Sequence, residues 1–321
     1  VASSTVPDAA PSSTPSPPGS SSAAPEAKSA PEAIRELPAK YAGAARTAKP
    51  IGHTSVVFKL ELTNGAKAVF KPASRRGPLR YKGEIAAYRL ASALGLVNVP
   101  PAFARTFDRA ELLGALGGET SPGGELLKSE ATGSDSKSKG SLVGWIDKLE
   151  FLPLEAEPLR SRWHGWLAKG NAIPDEPFDA DAGSPLATRD LAAQTSTLVA
   201  FDYLTGNWDR WSGANVGFDR GKGLLLFVDN DGAFFENPPK DALARNTRIL
   251  ESVDRFSRGF IEHVRNLDER ALAIAIADET PGAPLLSQKV LRTVLERRKE
   301  LLRVVDAKIA ANGEAETLFF P

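Results

Sequence analysis

The chain has 321 residues, balances 40 basic against 40 acidic side chains, and contains neither cysteine nor methionine. That length gives room for one large domain or two modest ones, and without cysteine there is no disulfide framework, thiolate zinc site, iron–sulfur cluster or cysteine nucleophile. Three widely separated histidines, His53, His164 and His263, make no imidazole cage, so any bound metal is expected to be a hard cation on oxygen ligands.

Zero formal charge removes the whole-protein argument for a nucleic-acid or anionic-membrane partner. No run approaches the roughly 18 apolar residues of a membrane span. Residues 1–43 are dominated by Pro, Ala, Ser and Glu, as in Ser16-Pro17-Pro18-Gly19-Ser20-Ser21-Ser22. They carry too little apolar surface to offset the entropy of ordering and read as a disordered linker. The start at Val1, with no initiator methionine, implies a removed upstream segment. With such a tether, an extracytoplasmic location, whether periplasmic, secreted or anchored, is expected over a cytoplasmic one.

From residue 50 the pattern alternates. Val56-Val57-Phe58-Lys59-Leu60-Glu61-Leu62, then Thr63-Asn64-Gly65, then Ala66 to Lys71 predicts strand, tight turn and strand, because Asn-Gly accepts the positive φ of a hairpin; Pro72 ends the second strand. Gly83 to Gly95 has apolar residues at helical spacing and a glycine stop. Gly117-Gly118, Pro122-Gly123-Gly124 and Thr132 to Gly140 are expected to be exposed loops, followed by a strand over Ser141–Ile146. Trp163 and Trp166, flanking His164, are expected to pack a loop or short helix onto the body. A helix over Thr188–Thr205 leads into the polar loop Gly206 to Asn215. A hairpin follows, with Leu224 to Val228 running into Asp229-Asn230-Asp231-Gly232. The last long helix, Leu286–Ala311, carries the stripe Val290, Leu291, Val294, Leu295, Leu302, Val305 and Ile309 before Asn312-Gly313.

This order gathers chemistry. A polar loop carrying Asp209, joined by a short hairpin to an apolar strand that ends in Asp229, brings two carboxylates and an amide to one end of a small sheet. Such oxygen ligands suit Mg2+ or Mn2+. Phosphoryl transfer needs one carboxylate to orient and deprotonate a hydroxyl and others to hold the cation bridging the nucleotide phosphates. Lys71 on a strand can contact those phosphates, and Glu84 on the next helix can fix it by an ion pair. Each piece alone is commonplace. Strand Lys, helix Glu, catalytic-type loop, hairpin and metal-type Asp follow one another as in the two lobes of a protein kinase.

Phe201-Asp202-Tyr203-Leu204-Thr205-Gly206-Asn207-Trp208-Asp209-Arg210 and Leu225-Leu226-Phe227-Val228-Asp229-Asn230 resemble the catalytic-loop and metal-loop segments of the four-jointed and Fam20 secretory-pathway kinases. Gly83-Glu84-Ile85-Ala86-Ala87-Tyr88-Arg89-Leu90, with Leu94-Gly95-Leu96 and Val99-Pro100-Pro101, is similar to the helix segment of the same group. The likeness runs in order through residues 50 to 240 and extends more distantly to HipA-type and phosphoinositide kinases.

The resemblance implies an α+β, bilobal protein-kinase-like fold: a β-rich N-lobe over 44–145, a mainly helical C-lobe over 146–313 and a tail over 314–321. It implies ATP-dependent transfer to a hydroxyl acceptor, a protein Ser/Thr more than a glycan, with Mg2+ or Mn2+. Asp209 would be the base, Lys71 and Glu84 would serve the nucleotide phosphates, and Gly52-His53-Thr54-Ser55 would cover them, with Gly52, Thr54 and Ser55 as contacts. Asp229 would hold the metal, together with Asn215, Asn207 or Asp231. Asn215 lies six residues after Asp209 where kinases usually have five, Trp211 stands where related loops often carry His, and the covering segment lacks GxGxxG. Animal members are rich in disulfides and this chain has none, so a bacterial relative is expected. The altered interval leaves open a pseudokinase that binds nucleotide or a partner without chemistry, and an AMP transferase would use similar residues.

Overall fold

The computed structural model describes residues 1–2, 35–52, 55–134, 136–178, 186–279 and 283–321. Most of the expected linker, residues 3–34, lies outside the described residues, as do His53 and Thr54 of the phosphate-covering segment. Residues 35–43 lie against the folded body: the 3-10 turn Ala39–Tyr41 buries Tyr41 beside Phe103.

Strands β1 (Ala45–Pro50), β2 (Phe58–Leu62), β3 (Lys67–Pro72), β4 (Ala102–Asp108) and β5 (Lys137–Gly144) form an antiparallel sheet in the order β1-β2-β3-β5-β4. The β2–β3 hairpin turns at Gly65, φ 84°, a left-handed conformation that glycine adopts without a Cβ clash. Alternation along β2 buries Phe58, Leu60 and Leu62, which join Phe70, Phe103, Phe107 and Leu142 in one core. Helix α1 (Arg80–Ala93) ends where Gly95 turns left-handed at φ 73°.

The region expected to be open loop is instead largely structured. Helices α2 (Arg109–Ala115) and α3 (Pro122–Glu130) flank Gly117-Gly118. Pro122 occupies the first turn of α3, and Ser121 Oγ accepts from the Gly124 amide at 3.0 Å, so the Ser-Pro-Gly-Gly run starts a helix rather than a loop. Gly124 must be small because a Cβ there would lie 2.1 Å from the Gly118 carbonyl oxygen. Strand β5 begins at Lys137, inside the expected Ser/Gly loop, and ends at Gly144 rather than Ile146. Its polar sequence hides the fact that Ser138 and Ser141 are fully buried and that Gly140 admits the β3 backbone at close range.

The other lobe is mainly helical, with a small antiparallel sheet of β6 (Glu150–Phe151), β7 (Val216–Asp219) and β8 (Leu224–Phe227). Around it stand α4 (Leu159–Leu167), α5 (Thr188–Thr205), α6 (Lys240–Ser252), α7 (Arg258–Arg265), α8 (Glu269–Ala275), α9 (Gln288–Asn312) and the short α10 (Glu314–Thr317). Trp163 and Trp166 are buried on α4, where Trp163 stacks on Trp211 at 5.8 Å. The α9 stripe faces this core, though Leu301 and Val304 are more buried than the expected Leu302 and Ile309. Residues 314–321 pack into the same core: Phe320 is 1% exposed and pairs by backbone with Phe256.

Helix α1 follows the sheet in sequence, but its Ile85, Ala86, Ala87, Leu90 and Ala91 belong to the core of the helical lobe, and Tyr88 touches both cores. Phe320→Ala is expected to cost about 3 to 5 kcal/mol through lost burial and the cavity left behind. Urea unfolding should show the lower midpoint with an unchanged slope.

Candidate active site

Lys71 lies on β3 between β2 and β5, and its ammonium is buried among three carboxylates from two other segments. It pairs with Glu84 on α1, donates to Asp229 Oδ1 at 2.6 Å, and stands 3.7 Å from Asp231 Oδ2. Burial by itself would lower the Lys71 pKa, but Asp229, Glu84 and Asp231 outweigh it and hold it above its ordinary value. Lys71 therefore stays charged.

Arg80 and Glu84 are four residues apart, so they share one face of α1. That face packs on the 3-10 turn Asn230–Gly232, and Gly83 makes the approach possible: a Cβ there would lie 2.6 Å from Asn230 O. Arg80 donates from Nη2 and Nε to Asp231 Oδ1 at 2.6 and 3.1 Å, and its Nη2 is 3.9 Å from Asp209 Oδ2. Asp231, 5% exposed in its side chain, is pushed up to about 6 by desolvation and by neighbouring Asp229 and Glu84, against the pull of Lys71 and Arg80. Desolvation also raises Asp229, but Lys71, with Arg210 and Arg80, overcomes this and holds its carboxyl below the usual range. Its backbone at φ 56° is left-handed, a conformation that Asp tolerates better than most residues.

The loop bearing Asp209 is built on the end of α5. Gly206, φ 64°, turns the chain out of the helix, and Asn207 Oδ1 accepts from the Asp209 amide at 3.2 Å. Helix α6 holds the same loop from outside, with Asn246 Nδ2 donating to Asn207 O at 2.8 Å and Arg245 Nη2 to Trp208 O at 2.6 Å. Beneath it Arg210 is completely buried. Its Nε donates to Asp202 Oδ2 at 2.9 Å, Nη1 to the carbonyls of Asn215 and Val228, and Nη2 to Asn230 Oδ1 at 2.7 Å. One guanidinium thus joins α5, the Asp209 loop and the Asp229 loop. Gly232 lets those two loops touch, since a Cβ would come within 2.9 Å of Asp209 Cβ.

Among the expected site residues, Lys71, Glu84, Asp229 and Asp231 converge directly, and Asp209 joins them across Arg80. Asn215 lies beside Asp209, with Nδ2 donating to Asp209 O at 2.8 Å and to Ser212 Oγ at 3.2 Å. Asn207 is fully buried in the loop's own bonding. Gly52 and Ser55 lie in the β1–β2 connection; because Pro50 pairs with Phe58 and Phe58 with Phe70, that connection is at the same end of the sheet as Lys71. Sequence reasoning gave no role to Arg80, Arg210 or Asp202. The i, i+4 spacing from Arg80 to Glu84 was a usable signal for the first. No local pattern marks the pairing of Arg210 with Asp202.

Four carboxylates, of Glu84, Asp209, Asp229 and Asp231, face two cations, Lys71 and Arg80, while Arg210 is matched by Asp202. The cluster is left two negative charges in excess. No group of three or more His, Asp or Glu side chains stands preformed as a metal cage among the described residues, because the carboxylates are drawn to the two cations. The donor set is nonetheless all oxygen and short of two positive charges, which fits a hard divalent cation.

A β-rich lobe and a helical lobe meeting at a lysine–glutamate pair and two Asp-bearing loops define the class of kinase-like folds. No protein-family model and no curated relative matches the chain. Among solved structures it is similar to the Golgi casein kinase, with a TM-score of 0.60 and 16% identity over 89% of this chain and 77% of that one. The same kinase with Mn/ADP bound gives a TM-score of 0.59 and 17% identity over the same shares. The hydra Fam20 structure with sugar gives 0.60 and 18% over 85% of this chain and 88% of that one. The fold is therefore that of the Fam20-type atypical kinases, as the sequence resemblance implies.

Removing Arg210 leaves Asp202, 1% exposed, as a buried charge without its partner. Arg210→Met is accordingly expected to destabilise the protein by about 3 to 5 kcal/mol, read from chemical denaturation.

Proposed function

We propose that this protein is an ATP-dependent kinase that transfers the γ-phosphate to a hydroxyl acceptor, a protein Ser/Thr rather than a sugar. The observation that carries the reading is the Lys71 ammonium held between Glu84 and Asp229, with Asp209 one guanidinium away. Lys71 contacts the nucleotide phosphates, and Glu84 fixes its position. Gly52 and Ser55, at the same end of the sheet as Lys71, are the nucleotide contacts on that side, with Thr54 between them in sequence. Asp229 and Asp231, with Glu84 beside them, are the residues that would hold Mg2+ or Mn2+. Such a cation would supply positive charge to offset the negative charge of the nucleotide phosphates. Asp209 orients the acceptor hydroxyl and takes its proton, and Asn207 and Asn215 keep the Asp209 loop in place.

The lobes are assigned as 44–145 on the nucleotide side and 146–313 on the acceptor side, with α1 and residues 314–321 packed into the core of the second. The Mn/ADP in one structural neighbour supports the nucleotide and metal reading. No helix among the described residues is long and apolar enough to cross a membrane. The Golgi assignment of one neighbour agrees with an extracytoplasmic location.

A second reading, nucleotide binding without transfer, draws on the six-residue interval from Asp209 to Asn215 where kinases usually have five. Thermal shift with ATP and manganese, in parallel with product detection, separates the two, since stabilisation with no modified acceptor favours the second. The mass of the transferred group distinguishes phosphoryl from adenylyl transfer. For the kinase, Asp209→Ala and Asp229→Ala are each expected to lower manganese-dependent ATP turnover on the order of a thousandfold or more. Equal turnover in wild type and both variants would sink the reading. Chelation of divalent cations is expected to abolish turnover and excess Mn2+ to restore it; full activity in chelator would remove the metal from the mechanism.

A further inference from the structure

We propose that Arg80 contacts the phosphoryl group in flight, standing between the carboxylates that hold the cation and the carboxylate that takes the proton. The proposal rests on the kinase reading above and adds a residue to it.

Four observations carry it. Arg80 is one helical turn before Glu84, so α1 presents both to the same cluster. Its guanidinium spans the two functional halves of the site, with Asp231 at 2.6 Å on one side and Asp209 at 3.9 Å on the other. It lies 5.7 Å above the ring of Trp208, the residue preceding Asp209, which limits where the group can swing. Its side chain is 24% exposed and open to a ligand, whereas Arg210 is wholly enclosed and committed to four partners, and Arg245 donates to the Trp208 carbonyl.

In the transfer, the bond from Pγ to the β,γ-bridging oxygen breaks with its electron pair remaining on ADP. A bond forms from the acceptor oxygen to Pγ, and the acceptor proton passes to Asp209. The equatorial oxygens gain exposure to donors on this path, and a planar guanidinium between Asp231 and Asp209 offers N–H groups to them. A divalent cation held by Asp231 would compete with Arg80 for the same carboxylate. The same side chain then moves from balancing the empty cluster to stabilising the transferring group.

The test compares wild type, Arg80→Ala and Arg80→Lys by calorimetry with Mn2+, using ADP alone and ADP with aluminium fluoride as a stand-in for the phosphoryl group in flight. Arg80→Ala is expected to bind ADP within about threefold of wild type and to lose on the order of a hundredfold in affinity for the aluminium fluoride complex. Arg80→Lys is expected to recover less than about tenfold of that loss, because an ammonium lacks the fork. The kcat should fall while KM for ATP holds. An equal loss for both ligands, or no loss for either, overturns the role of Arg80 while leaving the kinase reading standing. Wild type that binds neither ligand overturns both. Thermal melts identify a misfolded Arg80→Ala, in which case Arg80→Lys carries the comparison, and its binding the aluminium fluoride complex as wild type does would overturn the proposal.

Discussion

One buried ammonium ties the two lobes together. Lys71 is drawn from the middle of the sheet, Glu84 from a helix seated in the other core, and Asp229 and Asp231 from a loop more than 150 residues downstream. Taking a lone lysine out of water is costly, and so is burying the carboxylates around it. The arrangement is tolerable because each side removes the other's penalty, and it therefore forms only when all three segments are in place. The cluster is a product of the complete fold and exists in none of its parts.

Beneath this visible site is a second, drier one. Arg210 and Asp202 are fully enclosed, and the guanidinium spends its donors on the carbonyls and side chains that shape both loops. A neutral side chain of the same volume would fill the space but leave those carbonyls unpaired. The consequence is geometric: the Asp209 and Asp229 loops cannot shift independently. Their spacing, on which the proposed joint action of Asp209 and Asp229 depends, is set by a guanidinium wholly enclosed beneath both loops.

Much of this was legible from the residues. The β2–β3 hairpin, the bounds of α5 and the β7–β8 hairpin follow from local pattern, because there the apolar period, the turn glycines and the exposed polar face all agree. The candidate residues Lys71, Glu84, Asp209 and Asp229 were legible as an ordered set for the same reason: each sits just inside or just beyond a well-signalled element. What stayed hidden shares a different cause. Strand β4 has only two large apolar residues, Phe103 and Phe107, interrupted by Arg105 and Thr106, and β5 is rich in Ser, Lys and Gly. Both are strands because they pair with each other and with β3, a tertiary cause that no window of sequence contains. Arg80 and Arg210 look like ordinary surface arginines until the loops are folded around them.

The placement of α1 decides how the site is governed. On one side Gly83 seats it on the Asn230–Gly232 turn. On the other, Tyr81 donates its hydroxyl to the buried Glu279 at 3.1 Å, with Lys139 3.0 Å from the same carboxylate, and Arg89 Nη1 donates to the carbonyls of Ala277 and Asp278. Burial and the adjacent Glu279 keep the Tyr81 pKa above its ordinary value, so this donor stays protonated. Held from both faces and by the apolar core of the helical lobe, α1 carries Glu84 and Arg80 as fixed parts of that lobe. The sheet meets this body through Lys71, through Tyr88 packed on Phe103 and through the Lys139–Glu279 pair. Any rocking of the sheet must work against the Lys71–Glu84, Lys71–Asp229 and Lys139–Glu279 contacts.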